Sequence, residues 1–286
     1  MKIRLVASDM DGTLLDPLSH ISEENANAIR ELQQSGAEFV ICSGRAYSGA
    51  HPIVSGAGIR CSYICLSGAM ICTEDGKART SIPLTPGNLA DIDRILTDAG
   101  IFMDIMTSNG VYCTFPREER LQRIYRFFDD GSLSAGQPSA ALEQAVSRFA
   151  SAFTFVGSLA DVPSGTVIYK IGSTEIPAET VVRLKERFSA CPDIATASTF
   201  PTDIELTNVR AQKGLALKAY ARERGILPEE IMVLGDSDND LSMFTPEFGW
   251  TVAMGNAQDC LKAVAKYETK SNREDGVAFA IRKYAL

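Results

Sequence analysis

Three aspartates lie close together near the start of the sequence, in the segment "SDMDGTLLD" that begins at Ser8. Asp9 and Asp11 are separated only by Met10 and directly follow a short apolar run. Ionised carboxylates this close repel each other, so a fold that keeps them together has to supply a counter-charge. An Asp-x-Asp pair after a strand is also a common turn or helix cap, and the pair alone favours that structural role.

The elements around this pair indicate how other polar groups reach it. Residues 3–8 are apolar and β-branched, which predicts a buried strand. A helix is predicted over 22–36, with Ser22 as its cap and Gly36 at its end. The segments "AEFVICSGR" and "SYICLSGA" predict a second and a third strand. This alternation of strands and helices is typical of a parallel sheet with helices on its faces.

The pattern changes in the middle of the chain and then returns. We predict an α/β protein with a doubly wound, mostly parallel core sheet formed by residues 1–83 and 209–286. An α+β domain of residues 84–208 is predicted to be inserted after the third strand. Its predicted helices cover 86–99, 117–129, 140–150 and 178–190, a loop covers 130–138, and its strands lie near 101–106, 110–115, 153–157, 166–172, 194–199 and 203–207. Afterwards "KGLALKAYARERG" predicts a helix, "IMVLGD" a strand and "GWTVAMGNA" the last strand.

Polar groups follow several strands of the predicted core sheet. Ser43 follows the second strand, and Asp236 follows the strand "IMVLG", with Asp240 four residues later. The carboxyl ends of parallel strands meet at one edge of the sheet, where ligands bind, so these groups should converge with Asp9 and Asp11. The sequence therefore predicts a cluster of carboxylates at this edge.

The chemistry of these side chains favours a magnesium site that handles phosphate. With two histidines and no CxxC pair, oxygen ligands remain, and few carboxylates completed by water suit Mg²⁺. Lys213, at a predicted helix start, can add a second positive charge. Gly12 and Gly44 let backbone N–H groups approach a phosphate closely. The two N-terminal aspartates are thus candidates to hold a metal ion and attack a phosphoryl group.

Four segments together resemble the motifs of the haloacid dehalogenase (HAD) superfamily: "DMDGTLLD", "CSGR", the lysine of "QKG" and "GDSDNDLSMF". Their order and spacing match, and "AMGNA" and "DGVA" are similar to the Cof-type phosphatases of that superfamily. The resemblance implies that the inserted α+β segment is a cap that closes over the site and selects the substrate. Two positions depart from the pattern, since Ser67 replaces a frequent asparagine and Gln212 a common serine.

The resemblance also implies roles at the matching positions. Asp9 would form an aspartyl-phosphate, and Asp11 would protonate the leaving oxygen and then activate water. Mg²⁺ would be bound by the carboxylates of Asp9 and Asp236 and by the main-chain carbonyl of Asp11, with Asp240 as an outlying or water-mediated partner. The implied phosphate-binding residues are Met10, Ser43, Gly44, Lys213 and Asn239.

Composition limits the partners that we expect. The net charge is −8 and no Lys/Arg-rich patch is present, which argues against nucleic acid. No stretch approaches the roughly 18 apolar residues of a membrane helix, and the N-terminus does not resemble a signal peptide. Seven scattered cysteines argue against zinc and disulfide frameworks, so we expect a cytoplasmic protein.

The predicted function is a Mg²⁺-dependent phosphatase of a small phosphorylated metabolite, either a sugar phosphate or a phosphorylated cofactor. The alternatives are a sugar phosphomutase, in which a sugar hydroxyl replaces water, and a catalytically silent protein that binds phosphometabolites. Arg45 could contact the substrate or form a structural salt bridge. The sequence specifies neither the substrate nor the oligomeric state.

Overall fold

The computed structural model describes residues 2–127 and 137–286. The strands are β1 (Leu5–Ser8), β2 (Glu38–Cys42), β3 (Ser62–Cys65), β4 (Met70–Cys72), β5 (Ala78–Ser81), β6 (Asp104–Thr107), β7 (Gly110–Cys113), β8 (Phe153–Phe155), β9 (Ile168–Ser173), β10 (Ile194–Ala197), β11 (Ile204–Asn208), β12 (Ile231–Gly235), β13 (Trp250–Ala253) and β14 (Tyr267–Glu268). The helices are α1 (Glu23–Gln34), α2 (Tyr47–Gly56), α3 (Pro86–Asp98), α4 (Arg117–Phe127), α5 (Ala140–Ala150), α6 (Ala178–Phe188), α7 (Lys213–Glu223), α8 (Asp259–Lys262) and α9 (Gly276–Tyr284). Among these residues, no helix combines the length and apolar character needed to cross a membrane.

The first sheet has eight strands in the order β14-β13-β12-β1-β2-β3-β4-β5. All neighbours from β14 to β3 are parallel, and the pairs β3–β4 and β4–β5 are antiparallel. The central strands β1 and β12 are buried along their whole length, as expected for a parallel sheet covered on both faces. The prediction of a doubly wound, mostly parallel α/β core is confirmed.

The edges of this sheet differ from the prediction. The inserted segment does not follow the third strand directly, because β4 and β5 first extend the sheet. The predicted third strand ends at Cys65, where Leu66 and Ser67 turn the chain with positive φ angles. The strand predicted to be last is followed by β14. Helix α2, rich in Gly, Ser and Pro, was not predicted, since only the burial of residues such as Val54 offsets its poor helix propensity.

The second sheet has six strands in the order β10-β11-β9-β6-β7-β8. The neighbouring strands β6 and β7, and β10 and β11, form antiparallel pairs, as the sequence suggested. Strand β8, however, pairs in parallel with β7 instead of forming a hairpin with β9. Helices α3 and α6 cover one face through a cluster that includes Ile92, Ile105, Ile171, Leu184 and Leu206. The domain limits at 84 and 208 stay a prediction.

Most predicted helices match the structure closely. Helix α1 begins after Ser22, whose Oγ accepts a hydrogen bond from the N–H of Asn25 (3.0 Å), and it ends before Gly36, where φ is +90°. These are the predicted cap and terminator. The last two residues of the predicted helix 117–129 and most of the predicted loop 130–138 lie outside the described residues.

Candidate active site

Asp9 lies at the carboxyl end of β1, in the middle of the first sheet. Its N–H donates to the carbonyl of Leu234 on β12 (3.0 Å), which continues the pairing of the two strands. Only 3% of its surface is exposed. The chain then turns through Gly12 at a φ of +79°, where an added Cβ would lie 2.3 Å from Oδ2 of Asp236. Glycine therefore allows the loops after β1 and β12 to meet.

Lys213, the first residue of α7, is the cation of this site. Its Nζ donates to Oδ1 of Asp9 (2.7 Å), to Oδ1 of Asp240 (2.7 Å) and to Oδ1 of Asn239 (3.0 Å). The side chain of Lys213 is fully buried. Gly214 lets the helix start pack this tightly, because a Cβ there would collide with the carbonyl of Ser242. Lys213 thus joins residues more than 200 positions apart.

Three carboxylates form one cluster around this lysine. Asp9, Asp236 and Asp240 each offer an oxygen, and these oxygens lie within 4.8 Å of one another. Burial raises the pKa of Asp9 well above its ordinary value, with Lys213 opposing and the other two carboxylates adding to the rise. Burial and then the charge of Asp240 raise the pKa of Asp236 to about 7. Burial would lower the pKa of Lys213, but Asp240 and Asp9 outweigh it and the pKa is raised.

The donor set of this cluster fits a divalent cation. If all three carboxylates are ionised, the lysine leaves two negative charges without compensation, which matches the charge of one Mg²⁺. Oδ1 of Asp236 accepts from Oγ1 of Thr13 (3.0 Å). Both oxygens of Asp240 are engaged, since Oδ2 accepts from the N–H groups of Asp236 (2.9 Å) and Ser237 (3.2 Å). Asp9 and Asp236 are therefore the more available ligands.

The carboxylate of Asp11 lies apart from this cluster. Arg45 donates to both of its oxygens, with distances of 2.8 Å from Nε and 2.6 Å from one terminal nitrogen. Both side chains are about one third exposed. Substrate contact and a salt bridge were the two alternatives for Arg45. The structure shows Arg45 in a salt bridge, and its partner Asp11 is a predicted catalytic residue.

The predicted phosphate-binding residues lie in the loops that follow strands of the first sheet and, for Lys213, at the start of α7. Ser43 follows β2, and its N–H donates to the carbonyl of Ile64 on β3 (2.8 Å). Its Oγ accepts from the N–H of Arg45 (3.2 Å). Gly44 comes next, Met10 is buried beside Asp9, and Asn239 is bound to Lys213. The structure brings every predicted site residue to the same edge of the first sheet.

Side chains of the second sheet also reach this edge, and they were not among the predicted site residues. Lys170 on β9 donates to the carbonyl of Gly44 (2.8 Å), and Glu205 on β11 accepts from Oγ of Ser67 (2.5 Å). The amide of Asn239 donates to Oγ1 of Thr199 in the loop after β10 (2.9 Å). Lys170 and Glu205 lie inside the predicted strands near 166–172 and 203–207, and a charged residue within a strand was the available signal, because a charge that becomes buried needs a partner.

A doubly wound sheet with a buried Asp–Lys cluster at its carboxyl edge, faced by a second sheet, defines a hydrolase with the HAD fold. The family model described as "haloacid dehalogenase-like hydrolase" matches residues 6–281. The chain belongs to this family, and the predicted resemblance to its Cof-type members and the prediction of a phosphatase-class hydrolase are confirmed.

Individual relatives cover nearly the whole chain. Phosphatase YwpJ of Bacillus subtilis (strain 168) is 30% identical over 284 residues, which cover 98% of this chain and 99% of that protein. A phosphatase of the same organism named for 5-amino-6-(5-phospho-D-ribitylamino)uracil, YcsE, is 28% identical, with coverage of 99% and 96%. The structure of a haloacid dehalogenase-like hydrolase from B. subtilis superimposes with a TM-score of 0.84 at 30% identity and covers 98% of this chain and 99% of that one.

Proposed function

We propose that this protein is a Mg²⁺-dependent phosphatase that hydrolyses a small phosphorylated metabolite through an aspartyl-phosphate at Asp9. One observation carries the proposal. The buried carboxylate of Asp9 is fixed by Lys213 through one oxygen, and oxygens of Asp236 and Asp240 lie within 4.8 Å of it. A nucleophile and a charge-stabilising group in one buried place are what phosphoryl transfer requires.

The carboxylates of Asp9 and Asp236, with the main-chain carbonyl of Asp11, would hold the metal ion. When bound, Mg²⁺ supplies positive charge that stabilises the oxygens of the transferring phosphoryl group. Asp240 positions these ligands, because its carboxylate accepts hydrogen bonds from Nζ of Lys213 and from the backbone N–H of Asp236. The main-chain geometry at Gly12 keeps the two ligand loops together.

Asp9 attacks the phosphorus through the oxygen that Lys213 does not bind, and the leaving oxygen takes a proton from Asp11. The same carboxyl then removes a proton from the water that hydrolyses the aspartyl-phosphate. Both oxygens of Asp11 accept hydrogen bonds from Arg45, so at least one of these bonds has to open when Asp11 donates its proton to the leaving oxygen. The phosphate oxygens are bound by the hydroxyl of Ser43, the N–H groups of Met10 and Gly44, Lys213 and Asn239.

The segment 84–208 acts as the cap that closes over this site and selects the substrate. Its contacts with the edge of the first sheet, through Lys170, Glu205 and Thr199, support this role. A sugar phosphate or a phosphorylated cofactor fits the class, and the name of the relative YcsE supports including a ribityl phosphate. All seven cysteines are free thiols, which supports a cytoplasmic enzyme.

The test measures phosphate release from a chromogenic aryl phosphate and from a panel of sugar, polyol and cofactor phosphates. Wild-type protein is assayed with Mg²⁺ and with EDTA, beside Asp9→Asn. The control is Asp16→Asn, since Asp16 is not one of the clustered carboxylates and accepts hydrogen bonds from the backbone N–H groups of Leu18 and His20. We expect Mg²⁺-dependent release that Asp9→Asn abolishes and the control retains. Equal activity of wild type and Asp9→Asn would contradict the mechanism, and a lack of turnover on the whole panel despite Mg²⁺ binding would favour a silent binding protein.

A further inference from the structure

A buried ion pair of the second sheet faces the loops that follow β2 and β3. Nζ of Lys170 lies 2.8 Å from Oε1 of Glu205. In the register of β9 and β11, Lys170 is opposite Thr207 and Glu205 is opposite Gly172, so the pair is diagonal on one face. Lys170 is only 3% exposed. A buried ion pair is costly unless its remaining hydrogen-bonding capacity is used, so its other partners are informative.

Those partners belong to the loops that follow β2 and β3 of the first sheet. Nζ of Lys170 donates to the carbonyl of Gly44 (2.8 Å), and Oγ of Ser67 donates to Oε2 of Glu205 (2.5 Å). A Cβ on Gly44 would lie 3.0 Å from Glu205 and 3.2 Å from Lys170, so glycine makes this approach possible. Burial acts to raise the pKa of Glu205, but the charge and hydrogen bond of Lys170 outweigh it and lower the pKa. The carboxyl group of Glu205 is therefore ionised at neutral pH.

The contact with Gly44 leads directly to Ser43. The carbonyl of Gly44 and the N–H of Arg45 belong to one peptide group, and that N–H donates to Oγ of Ser43 (3.2 Å). A cation bound to an amide carbonyl polarises the amide and makes its N–H a stronger donor. Because Oγ of Ser43 then accepts a hydrogen bond from the backbone, its own hydrogen is free to point at a phosphate oxygen.

We propose that Lys170 is a positioning residue for the phosphate site, which acts on Ser43 through the peptide between Gly44 and Arg45. This inference rests on the proposed function, since it takes Ser43 as a phosphate ligand. It means that a residue of the predicted cap completes a phosphate donor of the core. The hydroxyl of Ser43 is fully aligned for phosphate only when Lys170 of the second sheet contacts the loop after β2.

The test is a double-mutant cycle between the ion pair and Ser43. Lys170→Met is combined with Glu205→Gln, so that no lone charge is buried, and this pair is studied with and without Ser43→Ala. Binding of inorganic phosphate in the presence of Mg²⁺ is measured by calorimetry, and thermal unfolding reports whether each variant folds. With Ser43 present, we expect phosphate affinity to fall about tenfold, the effect of one hydrogen bond to a charged group. In the Ser43→Ala background, the same two substitutions should change the phosphate affinity by less than about twofold.

A matched control replaces another ion pair that joins the segment 84–208 to a loop of the first sheet. Lys185→Met with Asp238→Asn removes the salt bridge from α6 to the loop after β12. If this pair only docks the second sheet, its effect on phosphate affinity should be the same with and without Ser43. An equal loss for the Lys170 and Glu205 variant in both Ser43 backgrounds would overturn the inference, since Lys170 would then act independently of Ser43.

The cycle is also measured on the unfolding free energy of the free protein, because the contacts from Lys170 to Ser43 need no ligand. Non-additive effects are expected there as well. If the effects on the unfolding free energy are non-additive but the protein binds no phosphate, the positioning role is supported and the proposed function is contradicted. Additive effects in both measurements would overturn the positioning role while leaving the proposed function intact.

Discussion

The most informative perturbation of this site is Asp236→Asn in metal-free protein. Asp236 is mostly buried beside Asp240, and its pKa is raised from the ordinary value of 3.8 to about 7. At 1.36 kcal/mol per pKa unit, this difference is equivalent to roughly 4 kcal/mol. The asparagine keeps an oxygen that can accept the hydrogen bond from Thr13, so the change removes mainly the charge.

The direction of the pH dependence follows from proton linkage. Between pH 4 and 7 the folded protein holds more protons at Asp236 than the unfolded chain does, so this group makes the unfolding free energy fall as the pH rises. The stabilisation of the folded protein by the protonated Asp236 carboxyl is complete below the pKa of the unfolded state. It is lost as the pH rises through the pKa of the folded state. With EDTA present, Asp236→Asn should therefore resemble wild type near pH 4 and be more stable by up to about 4 kcal/mol above pH 7.

Chemical unfolding monitored by circular dichroism from pH 4 to 8.5, with EDTA in every sample, measures this difference. Asp259→Asn is the control, because Asp259 is exposed on α8, and its difference from wild type should not change with pH. Added Mg²⁺ should reverse the order above pH 7, since only wild type retains both proposed carboxylate ligands. A difference between wild type and Asp236→Asn that is constant across the pH range would show that the pKa of Asp236 is not raised in the folded protein.

Two further substitutions test the contacts of the cluster. Gly12→Ala should raise the Mg²⁺ dissociation constant by at least about tenfold in calorimetry, because the added Cβ would collide with Asp236; Gly36→Ala, which has a similar positive φ but open space around it, should leave Mg²⁺ binding unchanged. Lys213→Met should lower the unfolding free energy by about 3–5 kcal/mol in denaturant titrations, as expected when a buried ion pair loses one partner. The more exposed lysine of the same helix, Lys218, should cost about 1 kcal/mol or less when changed to Met, and equal losses for the two lysines would contradict the assigned roles.

The convergence of Asp9, Ser43 and Asp236 could be predicted because it depends only on strand direction, whereas Lys213 lies at the start of α7 and its place in the site came from the family resemblance. These three residues each directly follow a largely buried strand of the parallel sheet, and the carboxyl ends of such strands share an edge. Hydrophobic patterning and helix caps specify these elements locally. The order of the strands was not needed to place the residues together.

The contacts of Lys170 and Glu205 could not be predicted in the same way. They depend on β9 lying between β6 and β11 and on the second sheet facing the first, and neither follows from local patterns. The partner of Arg45 was also left open, because the rotamers of long charged side chains depend on tertiary contacts. Strands β4 and β5 were missed because they are short, and every residue of β5 is exposed, so the expected alternation is absent.

The central claim is that Asp9 becomes covalently phosphorylated. During turnover with Mg²⁺ and an aryl phosphate, borohydride reduction of the quenched protein should convert an aspartyl-phosphate into homoserine, and peptide mass spectrometry identifies its position. Homoserine should appear at position 9, only when substrate is present, and Asp11 and Asp236 should stay unmodified. Homoserine at another aspartate, or phosphate release with no reducible intermediate at position 9, would contradict this claim.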